Sequence, residues 1–235
     1  MIREVAGLDI RKQGTQELWT AVDSYLADLQ APLDAALAEA LEANAAASLP
    51  SIDITPLQGK LLWMLARIRG AKRILEIGTL GGYSTIWLAR ALPSDGRLVT
   101  LEVDPKHAEV ARRNIARAGL SNLVELRVGP ALETLPILKA ESDEPFDFLF
   151  IDADKTKNPE YLKWAVKLSA PGSVIVVDNV IREGAIIEEN NDDPNVQATR
   201  KFFEELAAEP RLSATTIQTV GSKGYDGFTI AIVVG

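Results

Sequence analysis

The sequence predicts an α/β fold, with a seven-stranded, mostly parallel sheet that ends in an antiparallel hairpin and follows a set of N-terminal helices. Three observations lead to this prediction. From residue 73 onward, short apolar runs alternate with helical stretches, as in repeated strand–helix units. The last two apolar runs are separated by only a short connection, which is typical of a hairpin. Before residue 73, apolar residues recur at helical spacing instead.

Three helices are expected ahead of the first strand. Thr15 can cap a helix whose apolar residues are spaced to fall on one face. Pro32 is expected to open a second helix that runs to about Ala47. The pair Thr55-Pro56 combines a capping residue with a proline at the first helical position, so a third helix should begin there.

Five strand–helix units and the hairpin account for the rest of the chain. The predicted parallel strands are RILEI, RLVTLE, LVELRV, FDFLFI and SVIVVD, followed by helices over 83–92, 105–118, 130–139, 158–169 and 195–208. The hairpin strands are LSATTIQTV and FTIAIVV, joined by GSKGYDG. Right-handed crossovers would bring helices onto both faces of the sheet, and ligands bind such sheets outside the carboxyl ends of the strands.

Composition excludes several classes of function. The chain has 235 residues and no cysteine, so disulfides, thiolate metal sites and a cysteine nucleophile are ruled out. Its net charge of −8 makes it a poor binder of nucleic acid, whose affinity comes largely from neutralising phosphates. A single histidine argues against multi-histidine zinc sites. No membrane span or signal peptide is recognisable, so we expect a cytoplasmic protein.

The first strand runs into a glycine-rich turn, Gly78-Thr79-Leu80-Gly81-Gly82, that lets a ligand approach the backbone closely. Its spacing differs from the G-x-G-x-x-G of dinucleotide binding. Glu102 ends the second strand, where a carboxylate usually accepts hydrogen bonds from ribose hydroxyls. Together these features favour an adenosine-containing ligand without phosphates, such as S-adenosylmethionine (SAM). The alternative is a tight turn and a solvated strand end.

The stretch FDFLFIDADKTK places acids directly after a buried strand, beginning with Asp152. The next strand ends in Asp178-Asn179. If these two strands are neighbours, two carboxylates and an amide oxygen would converge, and they would repel each other unless a cation lay between them. Such hard oxygen ligands suit Mg²⁺, Mn²⁺ or Ca²⁺. Taken alone, Asp178-Asn179 could instead be a turn-forming pair.

An ordered series of motifs resembles the cation-dependent O-methyltransferases, the family of the catechol and caffeoyl-CoA enzymes. The motifs are ITPLQGKLL, RILEIGTLGGYS, LEVD, VGPA, FIDADK, VVDN and GYDGF, and they cover roughly residues 50–235. The resemblance implies a Rossmann-like class I methyltransferase domain over residues 51–235. Residues 1–50 would then be an N-terminal helical segment that contributes to a dimer and to the substrate entrance.

The resemblance also implies roles for individual residues. The residues that would contact SAM are Glu76, Gly78, Thr79, Ser84, Glu102, Ala131 and Asp154. Asp152, Asp178 and Asn179 would bind the cation, with Mg²⁺ preferred over Mn²⁺ or Ca²⁺, and Lys155 would act as the catalytic base beside Asp152. The family is usually dimeric, so a homodimer is expected.

The predicted reaction is methyl transfer from SAM to a phenolic oxygen of a vicinal-dihydroxy aromatic molecule. The cation would lower the pKa of the hydroxyl, and Lys155 would take its proton. One alternative is an NAD-dependent oxidoreductase, disfavoured by the glycine spacing. A second is an RNA methyltransferase, disfavoured by the acidic charge. A third is a non-catalytic SAM-binding protein, which would not need the acids and lysine of FIDADK and VVDN.

Overall fold

Helices cover both faces of a seven-stranded sheet, because its central strands are apolar on both sides. The computed structural model describes residues 15–235. The strands are β1 (Arg73–Ile77), β2 (Arg97–Glu102), β3 (Val124–Val128), β4 (Phe146–Ile151), β5 (Ser169–Asp178), β6 (Leu212–Gly221) and β7 (Gly224–Val233). Their order is β3-β2-β1-β4-β5-β7-β6, and β7 is antiparallel to both of its neighbours. The predicted fold class is confirmed.

Eight α-helices surround the sheet in the described part of the chain. They are α1 (Gln16–Gln30), α2 (Ala35–Ala46), α3 (Pro56–Arg69), α4 (Tyr83–Ala89), α5 (Pro105–Arg117), α6 (Ala131–Glu141), α7 (Asn158–Lys167) and α8 (Pro194–Ala208). Helices α2 to α5 contribute the core on one face of the sheet, and α6 to α8 contribute it on the other. The predicted segment 1–50 contains α1 and α2, and its first fourteen residues lie outside the described part.

Several boundaries differ from the predicted ones. Helix α2 begins after Asp34 instead of at Pro32, because the Asp34 carboxylate accepts a hydrogen bond from the Leu37 N–H at 3.0 Å and caps the helix. Helix α4 ends at Ala89 because the next turn tightens, with the Leu92 N–H bonded to the Ala89 carbonyl.

The hairpin connection is shorter than predicted. Cross-strand pairing continues as far as Gly221 and Gly224, which leaves a two-residue turn in place of GSKGYDG. Helix α1 holds this turn in position. Asp23 accepts a hydrogen bond from the Ser222 N–H at 2.7 Å, and the Gln16 amide donates to the Gly221 carbonyl at 2.9 Å.

Strands β4 and β5 are parallel neighbours, as predicted from right-handed winding. Ile151 lies opposite Val177, so Asp152 and Asp178 follow at adjacent carboxyl ends. Across residues 15–235, no helix has both the length and the apolar character needed to cross a membrane.

Candidate active site

A cavity of about 430 Å³ opens at the carboxyl ends of β1, β2 and β4. Most of the residues predicted to contact SAM line it: Gly78, Thr79, Ser84, Glu102, Ala131 and Asp154. Asp152, Lys155 and Asn179 line it too. We call this space the donor cavity. Its floor is formed by the glycine-rich turn after β1, and its sides come from the turns after β2 and β4.

The glycine-rich turn lies against the turn after β4. Gly78 has φ +99°, and a Cβ there would overlap the backbone carbonyl of Asp152. Glycine is therefore the residue that allows this close approach. The contact fixes the floor of the donor cavity relative to the acidic turn that begins at Asp152.

Glu102 anchors the same turn from β2. Its carboxylate accepts hydrogen bonds from the backbone N–H groups of Thr79 at 3.2 Å, Leu80 at 2.7 Å and Asp104 at 2.9 Å. The side chain is buried but lines the donor cavity, so its remaining acceptor capacity faces that space. This geometry is compatible with the predicted role of holding ribose hydroxyls.

Glu76 lies beneath the donor cavity and is not among its lining residues. Its side chain is fully buried and accepts hydrogen bonds from Ser84 at 2.6 Å, Thr85 at 2.5 Å and Thr100 at 2.7 Å. Burial raises its pKa to about 7, although the three hydroxyl donors oppose the shift. In this geometry Glu76 acts on the cavity through Ser84, whose hydroxyl it holds.

The three predicted metal ligands lie together at the edge of the donor cavity. Asp178 is 5% exposed, and burial together with the charge of Asp152 raises its pKa to about 7. The Lys155 ammonium lies 2.6 Å from Asp152 and opposes that shift. Asn179 adopts a left-handed backbone with φ 55°, and its side-chain amide has no hydrogen-bond partner within residues 15–235.

These residues fit a divalent cation. The charge of Asp152 raises the cost of ionising Asp178, and a cation would offset that cost. Together with the Asn179 amide oxygen, the two carboxylates form a set of hard oxygen ligands. Nowhere in residues 15–235, this place included, are three histidine, cysteine or acidic side chains grouped closely enough to hold a metal, so the two carboxylates here depend on the Asn179 amide as a third ligand. The candidate site therefore consists of Asp152, Asp178 and the Asn179 amide.

A second cavity of about 300 Å³ adjoins the first, and Asn179 lines both. It lies between α3, the turn of the β6–β7 hairpin and the segment after β5. Leu57, Leu61 and Phe228 give it apolar walls, and Asp178 lies at its inner end. We call it the acceptor cavity. The candidate metal ligands thus stand at the boundary between two spaces.

Two polar residues at the site were not identified from the sequence. Gln58 donates a hydrogen bond to the Asp178 carboxylate at 2.6 Å, and so holds one candidate metal ligand from α3. Asp53 lines the donor cavity, where burial raises its pKa despite a hydrogen bond from Asn44 at 2.9 Å. Gln58 lies within the motif ITPLQGKLL, and Asp53 directly precedes it. The feature of the sequence that could have identified Gln58 is its position in the first turn of α3.

Comparison with known proteins matches this chain to a family, and to two curated relatives, that are described as O-methyltransferases. Residues 28–232 match the model of a family described as O-methyltransferase. A catechol O-methyltransferase of Niastella koreensis is 52% identical over 217 residues, which cover 92% of this chain and 98% of that protein. A catechol O-methyltransferase of Mycobacterium tuberculosis is 54% identical over 212 residues, covering 90% and 94%.

Solved structures agree with these relatives. An O-methyltransferase from Bacillus cereus in complex with SAH superposes with a TM-score of 0.92 at 59% identity, covering 93% of this chain and all of that one. The O-methyltransferase TomG from Streptomyces achromogenes, involved in tomaymycin synthesis and in complex with SAM, also gives a TM-score of 0.92. Its identity is 52%, with 94% of this chain and all of TomG covered.

Proposed function

The chain belongs to the O-methyltransferase family and is a SAM-dependent enzyme, and from this premise we propose that it methylates a vicinal-dihydroxy aromatic molecule with the help of a divalent cation. The observation that carries the proposal is the position of Asp152, Asp178 and Asn179 between two adjoining cavities. Two relatives named as catechol O-methyltransferases support the choice of acceptor.

Each cavity would bind one of the two reactants. SAM would occupy the donor cavity, with its ribose at Glu102 and its methionine end towards Ser84 and Asp152. The aromatic ring would occupy the acceptor cavity, against Leu57 and Phe228. Because the cavities meet at Asn179, the methyl group and the acceptor oxygen can be held close together, and such positioning supplies a large part of an enzyme's acceleration.

Asp152, Asp178 and Asn179 would hold the cation, Mg²⁺ by preference, with Mn²⁺ or Ca²⁺ as alternatives. When bound, such an ion supplies positive charge that stabilises an ionised oxygen. That help is needed, because ionising a phenol of pKa near 10 at neutral pH costs about 4 kcal/mol. Gln58 would keep the Asp178 carboxylate oriented through its 2.6 Å hydrogen bond.

Lys155 is the proposed base. Its Nζ lies 2.6 Å from Asp152 and lines the donor cavity, so it is beside both the candidate metal ligands and the space for the methyl donor. To accept the phenolic proton, the amine must first lose its own, and a neighbouring positive charge favours that loss. Asp152 would then orient the amine as well as contribute to the metal site.

The test compares one aromatic scaffold with and without the second hydroxyl. At saturating SAM, we expect methylation of the catechol in the presence of Mg²⁺ and none of the matching monophenol, because a single oxygen cannot be chelated. Treatment with EDTA should abolish turnover, and added Mg²⁺ should restore it. Calorimetry in EDTA should still detect SAM binding, since the donor cavity is built largely from residues outside the metal site.

Two outcomes would contradict the proposal. Comparable turnover of the monophenol would show that chelation is not the source of activation. Full activity after exhaustive removal of metal would withdraw the roles given to Asp152, Asp178 and Asn179. Asp178→Asn gives a second readout, because it should lose metal-dependent turnover while SAM affinity changes little.

A further inference from the structure

The Glu102 carboxylate has room for only part of a ribose. Its Oε2 accepts hydrogen bonds from the N–H groups of Thr79 at 3.2 Å and Leu80 at 2.7 Å, and its Oε1 accepts one from Asp104 at 2.9 Å. A carboxylate has about four lone-pair sites, two on each oxygen. Three of them are therefore occupied, and the remaining one is on Oε1. The ribose of SAM has two hydroxyls, so the second needs another partner.

The single histidine of the chain lies beside that oxygen. His107 lines the donor cavity, and its Nδ1 is 3.6 Å from Oε1 of Glu102, which is too long for a hydrogen bond. Its Nε2 is 3.9 Å from the Asp104 carboxylate, which is also too long. Within residues 15–235 neither ring nitrogen has a hydrogen-bond partner, although the side chain is only 21% exposed.

The start of α5 explains the position of this histidine. Asp104 caps the helix and accepts hydrogen bonds from the N–H groups of Lys106 at 2.7 Å and His107 at 3.4 Å. Pro105 takes the first helical position, so His107 is the third residue of α5. Side chains in a helix lean towards its N-terminus. The imidazole is therefore directed back towards the end of β2, where Glu102 lies.

The other side chains around Glu102 offer no second partner. In the described segment from the end of β2 to the end of α5, the residues that line the donor cavity are Glu102, Val103 and His107, and Val103 is apolar. The hydroxyl of Thr79, on the glycine-rich turn, is buried and paired with the Thr100 hydroxyl at 2.5 Å. His107 is therefore the side chain beside Glu102 that can meet the second hydroxyl.

We propose that His107 binds one ribose hydroxyl of SAM while Oε1 of Glu102 accepts a hydrogen bond from the other. The two hydroxyls are on adjacent carbons, so they can meet two polar atoms that lie 3.6 Å apart. An imidazole can accept a hydrogen bond through its unprotonated nitrogen or donate one through its N–H. The proposal rests on the placement of the SAM ribose at Glu102 and adds a second residue that recognises it. His107 takes no part in the methyl transfer itself.

The test measures the binding of S-adenosylhomocysteine by calorimetry, without acceptor or metal. His107→Phe keeps a planar ring and removes both nitrogens, so its Kd should rise about two- to tenfold, as expected for one lost hydrogen bond. His107→Asn keeps a polar atom near the position of Nδ1 and should recover part of the affinity. The matched control is Lys106→Gln, at an exposed position of the same turn outside the donor cavity, and its Kd should equal that of the unmodified enzyme.

Two analogues show whether the contact is direct. The 2′-deoxy and 3′-deoxy forms of S-adenosylhomocysteine each lack one ribose hydroxyl, and the unmodified enzyme should bind both more weakly than the parent compound. With the analogue that lacks the hydroxyl held by His107, the substitution His107→Phe should cause no further loss of affinity. With the other analogue it should cause the full loss. The comparison is a double-mutant cycle between the side chain and the hydroxyl.

The outcomes separate this proposal from the proposed function. An unchanged Kd in His107→Phe would overturn the role of His107. An equal loss of affinity for all three ligands would overturn it too, because His107 would then act on the shape or charge of the cavity without touching a hydroxyl. If the unmodified enzyme binds both deoxy analogues as tightly as the parent compound, the ribose does not lie at Glu102, and the proposal falls with that placement. No acceptor is used, so none of these results depends on the catechol activity.

Discussion

Two buried carboxyl groups differ in what surrounds them. Glu76 lies among three hydroxyl groups and no cation, whereas Asp178 lies near Asp152 and Lys155. Both have a pKa raised to about 7, with burial as the largest cause. For Asp178 that burial is compatible with a bound cation. For Glu76 it has a consequence for stability that can be measured without any ligand.

Glu76 should make the free energy of unfolding fall as pH rises. Between pH 4.5 and 7 the folded state keeps a proton on Glu76 that the unfolded state has lost, so folding is less favoured at higher pH. From pH 5.5 to 7.5 the loss should be about 2 kcal/mol. Glu76→Gln removes this titration, and urea unfolding of both proteins at three pH values measures the difference.

The comparison isolates Glu76 because every other group titrates in both proteins. The two proteins should also differ in free energy of unfolding by an amount that does not change with pH, because the substitution rearranges the hydroxyl hydrogen bonds. The test is whether the difference between them changes with pH. A difference that is the same at pH 5.5 and 7.5 would show that Glu76 ionises normally in the folded state. The pH range of the test lies above the pI of about 4.9. At the pI itself the protein would carry little net charge, which promotes precipitation.

Two buried asparagine side chains, one on α2 and one on α5, connect these helices to the donor cavity. Asn114 donates to the Gly81 carbonyl at 2.8 Å and to the Asn44 side-chain oxygen at 3.1 Å. Asn44 in turn donates to Asp53 at 2.9 Å. A Cβ at Gly81 would overlap the Asn44 amide, so this position also depends on glycine. The two helices thereby position the glycine-rich turn.

Asn44→Ala should lower both stability and SAM affinity. It removes the Asn44 hydrogen bond to the half-buried Asp53 carboxylate and one of the acceptors of the buried Asn114 amide, at a cost of roughly 1–3 kcal/mol. Urea unfolding and calorimetric titration with SAM measure the two effects. Glu42→Ala, at an exposed position of the same helix, is the control and should change neither. Unchanged SAM affinity in Asn44→Ala would show that the amides support the fold alone.

Among residues 15–235, several large apolar side chains are exposed together on α1 and β6. Helix α1 exposes Val22, Tyr25 and Leu29 by 46%, 55% and 64%, and the neighbouring edge strand β6 exposes Ile217 and Val220. Within residues 15–235, β6 has no strand partner on its outer edge, and such an edge beside an apolar helix face is typical of a protein–protein interface. We propose that this surface forms the homodimer expected from the family resemblance.

Light scattering of the full chain should give the mass of a dimer. The double variant Tyr25→Asp/Leu29→Asp should shift it towards a monomer, because two charges would be buried without partners. Ile137→Asp, an equally apolar exposed position on α6, is the matched control and should remain dimeric. A wild-type monomer at all concentrations, or a dimer unaffected by the double variant, would contradict the assignment.

Much of the architecture could be predicted from the sequence, because strand–helix alternation and handedness constrain it strongly. The adjacency of Asp152 and Asp178 followed from those rules and is confirmed. Gln58 could not be placed in the same way, since its contact with Asp178 spans 120 residues and depends on how α3 packs. Glu183 reaches the acceptor cavity through a left-handed turn that follows no periodic pattern.

The two cavities are encoded in different parts of the chain. Every residue that lines the donor cavity lies between Ile52 and Asn179. The acceptor cavity also requires the hairpin turn after Val220 and, from the other end of the chain, Asp23. As the polypeptide leaves the ribosome, every residue that lines the donor cavity therefore emerges before the hairpin turn that completes the acceptor cavity.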